Sequence, residues 1–344
     1  MQKNKILLIL TGGTICSTEN ENGERTSTAE NAQTKIVSFF KSGNSPFTNV
    51  DFDVKMPLDI LSENMTLKTW NRLLCEFKSI NNYKEFDGII ILHGTDTLAY
   101  SAALLSMTLA HLNLPVILVS SQLPLDNPLN NGNANFKAAV ELIMNGIKPN
   151  VYAVYKNSDE KLYLHYGAHL EQCRNFSDDF FSKTQKEIEN TENASCEGTS
   201  FKEGSNILYE LNSLNKNVLC ISPFVGNNYD CYKLDNVCAV VHYTYHTEAV
   251  CVERSKKQGE YFEQSILHFV NTCKANNKDL FLAPCNPEAY SYESTGDALE
   301  NGARAISNMT REMAYVKTLI GCSLGLNGDK LEEFINRDIN NEHL

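Results

Sequence analysis

The sequence predicts an α/β protein: a doubly wound, mostly parallel sheet in a large N-terminal domain, followed by a smaller α/β C-terminal domain. Three observations predict it. Wholly apolar runs such as GIIIL at 88–92 and PVILVSS at 115–121 have the composition of strands covered on both faces. These runs alternate with segments of helical spacing, the βαβα rhythm of a parallel sheet. A polar stretch at 183–205 without apolar period then interrupts the rhythm, which restarts after it.

The elements follow in order. KILLIL at 5–10 is a buried strand, and VDFDVKMP at 50–57 alternates as a half-covered one. Leu67, Trp70, Leu73, Leu74 and Phe77 give 67–81 a helical stripe. After the strand at 88–92 comes a helix over 97–112, carrying Leu98, Leu104, Leu105 and Leu109. The strand at 115–121 leads to a helix over 133–144. VYAVY at 151–155 is a strand, and 161–170 adds a hairpin partner. Beyond the polar stretch, strands are predicted at 217–223, 236–243 and 279–284, with helices near 261–276, 296–303 and 310–320. The expected division is a domain over 1–182, a linker over 183–215 and a second domain over 216–344.

The chain has 344 residues, too many for one ordinary core, and its 42 % hydrophobic and 21 % charged content is that of a globular protein. A net charge of −12 with scattered lysines leaves no basic face, which argues against nucleic acid and anionic membrane as partners. Eleven cysteines with no C-x-x-C pair, several inside apolar runs (Cys220, Cys238), fit free thiols in a reducing cytosol. Lys3 and Lys5 ahead of ILLIL imitate a signal peptide, but the apolar run is five residues, too short for that role or for a membrane span. A cytoplasmic location is expected.

In open α/β sheets ligands bind beyond the carboxyl ends of the strands. Small polar residues collect at three such ends: Thr11-Gly12-Gly13-Thr14, His93-Gly94-Thr95-Asp96-Thr97 and Ser120-Ser121-Gln122. A fourth segment, Ser62-Glu63-Asn64-Met65-Thr66, lies between strand and helix. Glycine there lets backbone approach a ligand, and threonine presents a hydroxyl with little bulk. The bland alternative is a tight turn in which Thr14 bonds back to its own loop. Phosphate binding has weak support, because no lysine-bearing P-loop and no G-x-G-x-x-G is present. A threonine nucleophile needs a base, a proton relay and oxyanion donors. Asp96 either takes part in such a relay or caps the helix starting near Thr97.

Other candidates read as structural. His93, at the end of a buried strand, is expected to be a satisfied core histidine. His242 and His246 have metal-ligand spacing only on a helix, and HYTYHTE reads as a strand end, so no metal is expected. Cys16 has no paired histidine in sequence, and Glu312 is expected to favour the start of its helix.

At these residues the sequence resembles the L-asparaginase/glutaminase family in its bacterial two-domain form, on the side of the cytoplasmic type I group. TGGTI at 11–15 is similar to the family's first threonine motif, and DGIIILHGTDTLAYSAALLS at 87–106 to its second. The segment 62–66 resembles the substrate-binding stretch between them, PVILVSSQLPLDN at 115–127 the third strand and its loop, and 292–317 the closing pattern. The resemblance implies hydrolysis of L-asparagine to L-aspartate and ammonia with Thr14 as nucleophile. It gives Thr95 the oxyanion and the hydrolytic water, and gives Asp96 the α-ammonium and a place in a relay. Ser62 is implied for the α-carboxylate, Glu63 for a second carboxylate near the ammonium, and Gly13, Gly94 and Ser121 for pocket-lining backbone. It implies no cofactor, a small-molecule substrate, and a homodimer or homotetramer whose pockets lie between subunits.

Three positions depart from the pattern. Gln172 stands where the family's relay lysine is expected, within 167–172, with Lys156 and Lys161 the nearest lysines before it. Residues 15–40 hold no tyrosine, and Glu24, Arg25 and Thr26 occupy the place of the family's loop tyrosine. Leu123 replaces an arginine after the third strand. These departures keep two alternatives open: an amino-acid-binding protein with weak or no turnover, and an amidase for a different small amide. An RNA-dependent amidotransferase subunit is disfavoured by the charge and by a motif that starts at residue 11.

Overall fold

A computed structural model describes residues 4–19, 25–27, 29–192, 206–253, 262–286 and 292–344. The chain forms two compact units, Met1–Glu210 with Ile339–Asn341, and Leu211–Asp338 with Glu342–Leu344.

The first unit is built on β1 (Lys5–Leu10), a short hairpin of β2 (Ser17–Glu19) and β3 (Arg25–Ser27), then α1 (Ala29–Ser42), β4 (Asp51–Lys55), α2 (Leu67–Ser79), β5 (Gly88–Leu92), α3 (Leu98–Thr108), β6 (Val116–Val119), α4 (Gly132–Met144), β7 (Val151–Lys156), β8 (Leu162–Tyr166), β9 (Lys186–Glu187) and α5 (Ile207–Glu210). Seven strands form one sheet in the order β4-β1-β5-β6-β7-β8-β9. The pairs from β4 to β7 are parallel, and β8 and β9 close the edge in antiparallel fashion. This is the α/β, parallel-dominated architecture expected from the apolar runs.

Its central strands are covered on both faces, which is why they carry no alternation. Leu8, Leu10, Ile90, Leu92, Ile117 and Val119 join Ile36 and Phe40 of α1 and Phe136, Ala139 and Ile143 of α4 in one core. α2 begins with a capping box, in which Thr66 and Thr69 exchange hydrogen bonds with each other's backbone. Its Trp70 indole donates to Ser101 Oγ of α3 at 3.1 Å.

The second unit holds a four-stranded, all-parallel sheet of β10 (Val218–Ile221), β11 (Ala239–Tyr243), β12 (Asp279–Ala283) and β13 (Arg304–Ala305), in that order. Its helices are α6 (Ile266–Ala275), α7 (Glu293–Glu300), α8 (Arg311–Ser323) and α9 (Gly328–Asn336). Thr310 caps α8 by accepting from Met313 N, with Glu312 in the first turn. Lys317 and Glu342 form a fully buried ion pair, and Lys317 Nζ also donates to Arg337 O at 2.7 Å. His242 lies buried on β11 with Nε2 2.8 Å from the Tyr229 hydroxyl.

The unit boundary falls after Glu210, inside the stretch 183–215 read as a linker. Lys186–Glu187 pairs with β8, so the beginning of the stretch read as a linker is held in the sheet. Residues 193–205 lie outside the described residues. Among the described residues no helix is long and apolar enough to cross a membrane.

Burial pushes the imidazoles of His93 and His242 down to about 4, and that of His165, on β8, down to about 3, against an ordinary 6.5. The unfolded chain therefore takes up these protons as pH falls below 6.5, while the folded chain stays neutral. The stability they contribute is complete above that pH and is lost progressively toward pH 4. Urea unfolding of wild type and His165→Gln at pH 7 and pH 5 tests this. The variant is expected to be less stable at pH 7, and its loss between the two pH values should be smaller by about 2 kcal/mol.

Candidate active site

Three chain segments meet beyond the carboxyl ends of β1 and β5. After β1 the chain does not leave the sheet at once. Thr11 N donates to Leu92 O at 3.0 Å, Ile60 N to Thr11 O at 3.1 Å and Gly13 N to Ile60 O at 2.7 Å. The backbone is thus held between the end of β5 and the loop at residue 60, with Gly12 at φ 101° and Gly13 at φ 83°.

Only glycine fits this path. A Cβ on Gly12 would lie 2.2 Å from the Ile60 carbonyl oxygen, and one on Gly13 would lie 2.2 Å from Gly94 Cα. Gly94 in turn abuts Ser62, whose Oγ would be 2.4 Å from a Cβ there. The turns of the two threonine motifs therefore meet at backbone level, and the Ser62 side chain packs directly on Gly94.

Thr14 opens a 3-10 turn, Thr14–Cys16, closed by Cys16 N donating to Gly13 O at 2.9 Å. Its carbonyl accepts from Ser17 Oγ at 2.9 Å. Its hydroxyl has no hydrogen bond among the described residues, so Thr14 does not bond back to its own loop through its side chain. Thr95, half-buried like Thr14, also has a hydroxyl unengaged among the described residues. Two free hydroxyls thus stand at the ends of adjacent parallel strands.

Ser62 is buried and lies in a 3-10 turn, Ser62–Asn64. Its hydroxyl donates to Asp96 Oδ2 and accepts from Asp96 N, both at 3.1 Å. Thr97 Oγ1 donates to Ser62 O at 2.9 Å. Asp96 is exposed, and α3 has no side-chain cap, so the carboxylate faces Ser62 instead of serving the helix. Glu63 is exposed on the same turn as Ser62, which puts two carboxylates on this rim. Thr97 was not singled out by the sequence; the T-x-T spacing of Thr95 and Thr97 is the signal that could have found it.

Gln172 reaches this site. Its Nε2 donates to the Asp96 main-chain carbonyl. The two nearby lysines are engaged elsewhere, Lys156 with Glu160 and Lys161 with Glu187. Ser121 has a support role through its side chain: its Oγ donates to Leu123 O at 2.6 Å and accepts from Gly132 N at 3.1 Å, fixing the start of α4. Glu24 lies outside the described residues, as do the side chains of Arg25 and Thr26. Burial, reinforced by the charge of Asp59, pushes the Cys16 thiol up to about 12, so at neutral pH it is a protonated core group and not a nucleophile. Among the described residues no group of three or more His, Cys, Asp or Glu is placed to hold a metal ion.

These features define a doubly wound α/β protein with a hydroxyl- and carboxylate-bearing rim at the ends of its first two central strands. The family model "Asparaginase, N-terminal" matches residues 5–199, and the chain belongs to the asparaginase family. It is similar to L-asparaginase 1 of Escherichia coli K12, 33 % identical over 147 residues, which are 42 % of each chain. It is also similar to a glutamyl-tRNA(Gln) amidotransferase subunit of Methanopyrus kandleri, 33 % identical over 135 residues, 39 % of this chain and 30 % of that one. The matched region thus spans less than half the length of either relative. In fold, the chain is similar to the thermostable L-asparaginase of Thermococcus kodakarensis, with a TM-score of 0.75 at 21 % identity over 99 % of both chains.

A substitution at the glycine contact should be costly. Gly13→Ala must push the two backbones apart and hold alanine in a left-handed conformation, at a cost of about 2 kcal/mol or more. Its thermal midpoint is expected to fall well below that of Gly146→Ala, where a Cβ meets nothing within 4 Å and only the φ of 79° is unfavourable. Scanning calorimetry of the two variants measures the difference.

Proposed function

We propose that this protein is an amidohydrolase that converts L-asparagine to L-aspartate and ammonia through the hydroxyl of Thr14. The observation that carries the reading is the pair of hydroxyls unengaged among the described residues, Thr14 and Thr95, beside the Ser62–Asp96 hydrogen-bonded pair. Family membership and the similarity to named L-asparaginases support it.

In this reading the substrate is a small zwitterion. Its ammonium is drawn to the carboxylates of Asp96 and Glu63, and its α-carboxylate to the Ser62 hydroxyl and nearby N–H groups. The Thr14 oxygen attacks the side-chain amide carbon, forming an acyl-threonine and releasing ammonia. Water, positioned by Thr95, then attacks the ester carbonyl to give aspartate and restore the hydroxyl. Thr95 also holds the developing oxyanion. The reading uses no cofactor. It includes a homodimer or homotetramer and a cytoplasmic location.

Thr14→Ala is expected to lower ammonia release from asparagine roughly a thousandfold or more while the protein keeps its thermal midpoint. Wild-type turnover in that variant would remove Thr14 from the mechanism.

A second reading is favoured by one specific observation. Gln172 offers an amide to Asp96 where the family's relay has an ammonium, and an amide neither accepts nor releases a proton at neutral pH. The same pocket would then bind an amino acid with weak or no turnover, or act on a different small amide. Calorimetry with asparagine and aspartate, run beside ammonia assays on asparagine, glutamine and related amides, separates these. Gln172→Lys is expected to raise asparagine turnover about tenfold or more by restoring a proton carrier beside Thr95 and Asp96. An unchanged rate would show that this position does not serve the relay.

A further inference from the structure

A buried polar pair lies directly beneath the rim. His93 follows β5 and stays in the ladder, its N–H donating to Val119 O at 3.0 Å. Leu92 is paired with Val119, so His93 and Ser120 are neighbours in the next row. Alternation puts both side chains on the sheet face of Ile91 and Leu118, and both residues are fully buried.

The imidazole's state follows from its contacts. Nδ1 lies 2.8 Å from the Gly94 carbonyl oxygen, which can only accept, so Nδ1 carries the hydrogen. Burial pushes the ring down to about 4, against the opposing effects of the Gly94 carbonyl and Asp96, so the ring is neutral at pH 7. Nε2 is then a bare acceptor. Neither Nε2 nor Ser120 Oγ has a hydrogen-bond partner among the described residues. A buried acceptor and a buried hydroxyl on neighbouring strand positions, both without a partner among the described residues, are the setting in which proteins keep an internal water.

We propose that His93 Nε2 and Ser120 Oγ together hold one ordered internal water, and that His93, anchored by it, is the positioning residue of the Gly94-Thr95-Asp96 turn. The water donates to Nε2 and accepts from the Ser120 hydroxyl, while Nδ1–H fixes the Gly94 carbonyl on the other side of the ring. Gly94 also meets Gly13 and Ser62, so the orientation of its peptide decides where the Thr95 hydroxyl points. The catalytic half of this assignment rests on the amidohydrolase reading. The tautomer and the water do not.

The test therefore has two arms. In the first, imidazole ¹⁵N spectra of the full chain, with the His93 signals assigned by their loss in His93→Asn, are expected to show a neutral Nδ1–H ring from pH 5 to pH 9. A high-resolution crystal structure is expected to show a water within hydrogen-bond distance of Nε2 and Ser120 Oγ, absent in Ser120→Ala. An Nε2–H tautomer, or a direct bond between Ser120 Oγ and Nε2, overturns the water site.

In the second arm, His93→Phe is expected to lower kcat about a hundredfold with KM changed less than about twofold. His93→Asn, which keeps a donor for the Gly94 carbonyl, should recover most of that loss. Ser120→Ala should lower kcat about fivefold at unchanged KM and serves alone if His93→Phe does not fold. Equal losses in the Asn and Phe variants, a change confined to KM, or wild-type kcat in Ser120→Ala overturn the positioning role. A wild type that releases no ammonia defeats the amidohydrolase reading and the positioning role built on it, while the first arm still decides the tautomer and the water.

Discussion

The close approach of Gly13 to Gly94, and of Gly94 to Ser62, is the constraint on which the rim depends. It leaves no room for a side chain at either glycine. Three loops that are distant in sequence become one rigid object, tied further by the ladder through Thr11 and Ile60 and by the two hydrogen bonds between Ser62 and Asp96. Two threonine hydroxyls are displayed on that object without being used by it. Ordering these groups is done during folding, so a ligand need not supply the entropy when it binds.

The same packing explains the division of labour among the hydroxyl residues. Thr11 Oγ1 donates to Leu92 O, Thr97 Oγ1 to Ser62 O, and Ser121 Oγ to Leu123 O; these brace the backbone. Among the described residues the Thr14 and Thr95 hydroxyls are left over, and the proposed chemistry is assigned to them. Gln172 joins the bracing set through a neutral hydrogen bond to the Asp96 carbonyl. His93 extends the bracing below the rim, where its Nδ1–H meets the Gly94 carbonyl.

Much of this was legible in the sequence, for physical reasons. The central strands were visible because a strand covered on both faces is apolar throughout, as GIIIL is. The glycine-threonine turns stood out because they end such runs. α1 was not visible: its core contacts come from Ala32, Ile36 and Phe40 with Val37 beside them, and the first half of the segment is polar apart from alanine. The hairpin of β2 and β3 is too short to show a period. Asp96 had two local readings, and the bond that decides between them comes from Ser62, 34 residues away in sequence. Gln172 was located by the family pattern alone, since its contact spans 76 residues. The pairing of His93 with Ser120 depends on strand register, which no local pattern encodes.

The proposed chemistry requires this rim to hold a free amino acid with its side-chain carbonyl carbon against the Thr14 hydroxyl. A crystal structure of the protein soaked with L-aspartate examines that placement without relying on turnover. Aspartate is expected at the rim, its ammonium beside Asp96, its α-carboxylate on Ser62, and Thr14 Oγ1 in van der Waals contact with the side-chain carboxyl carbon. Aspartate bound elsewhere, or bound here with that oxygen turned into the protein and out of reach, would contradict it.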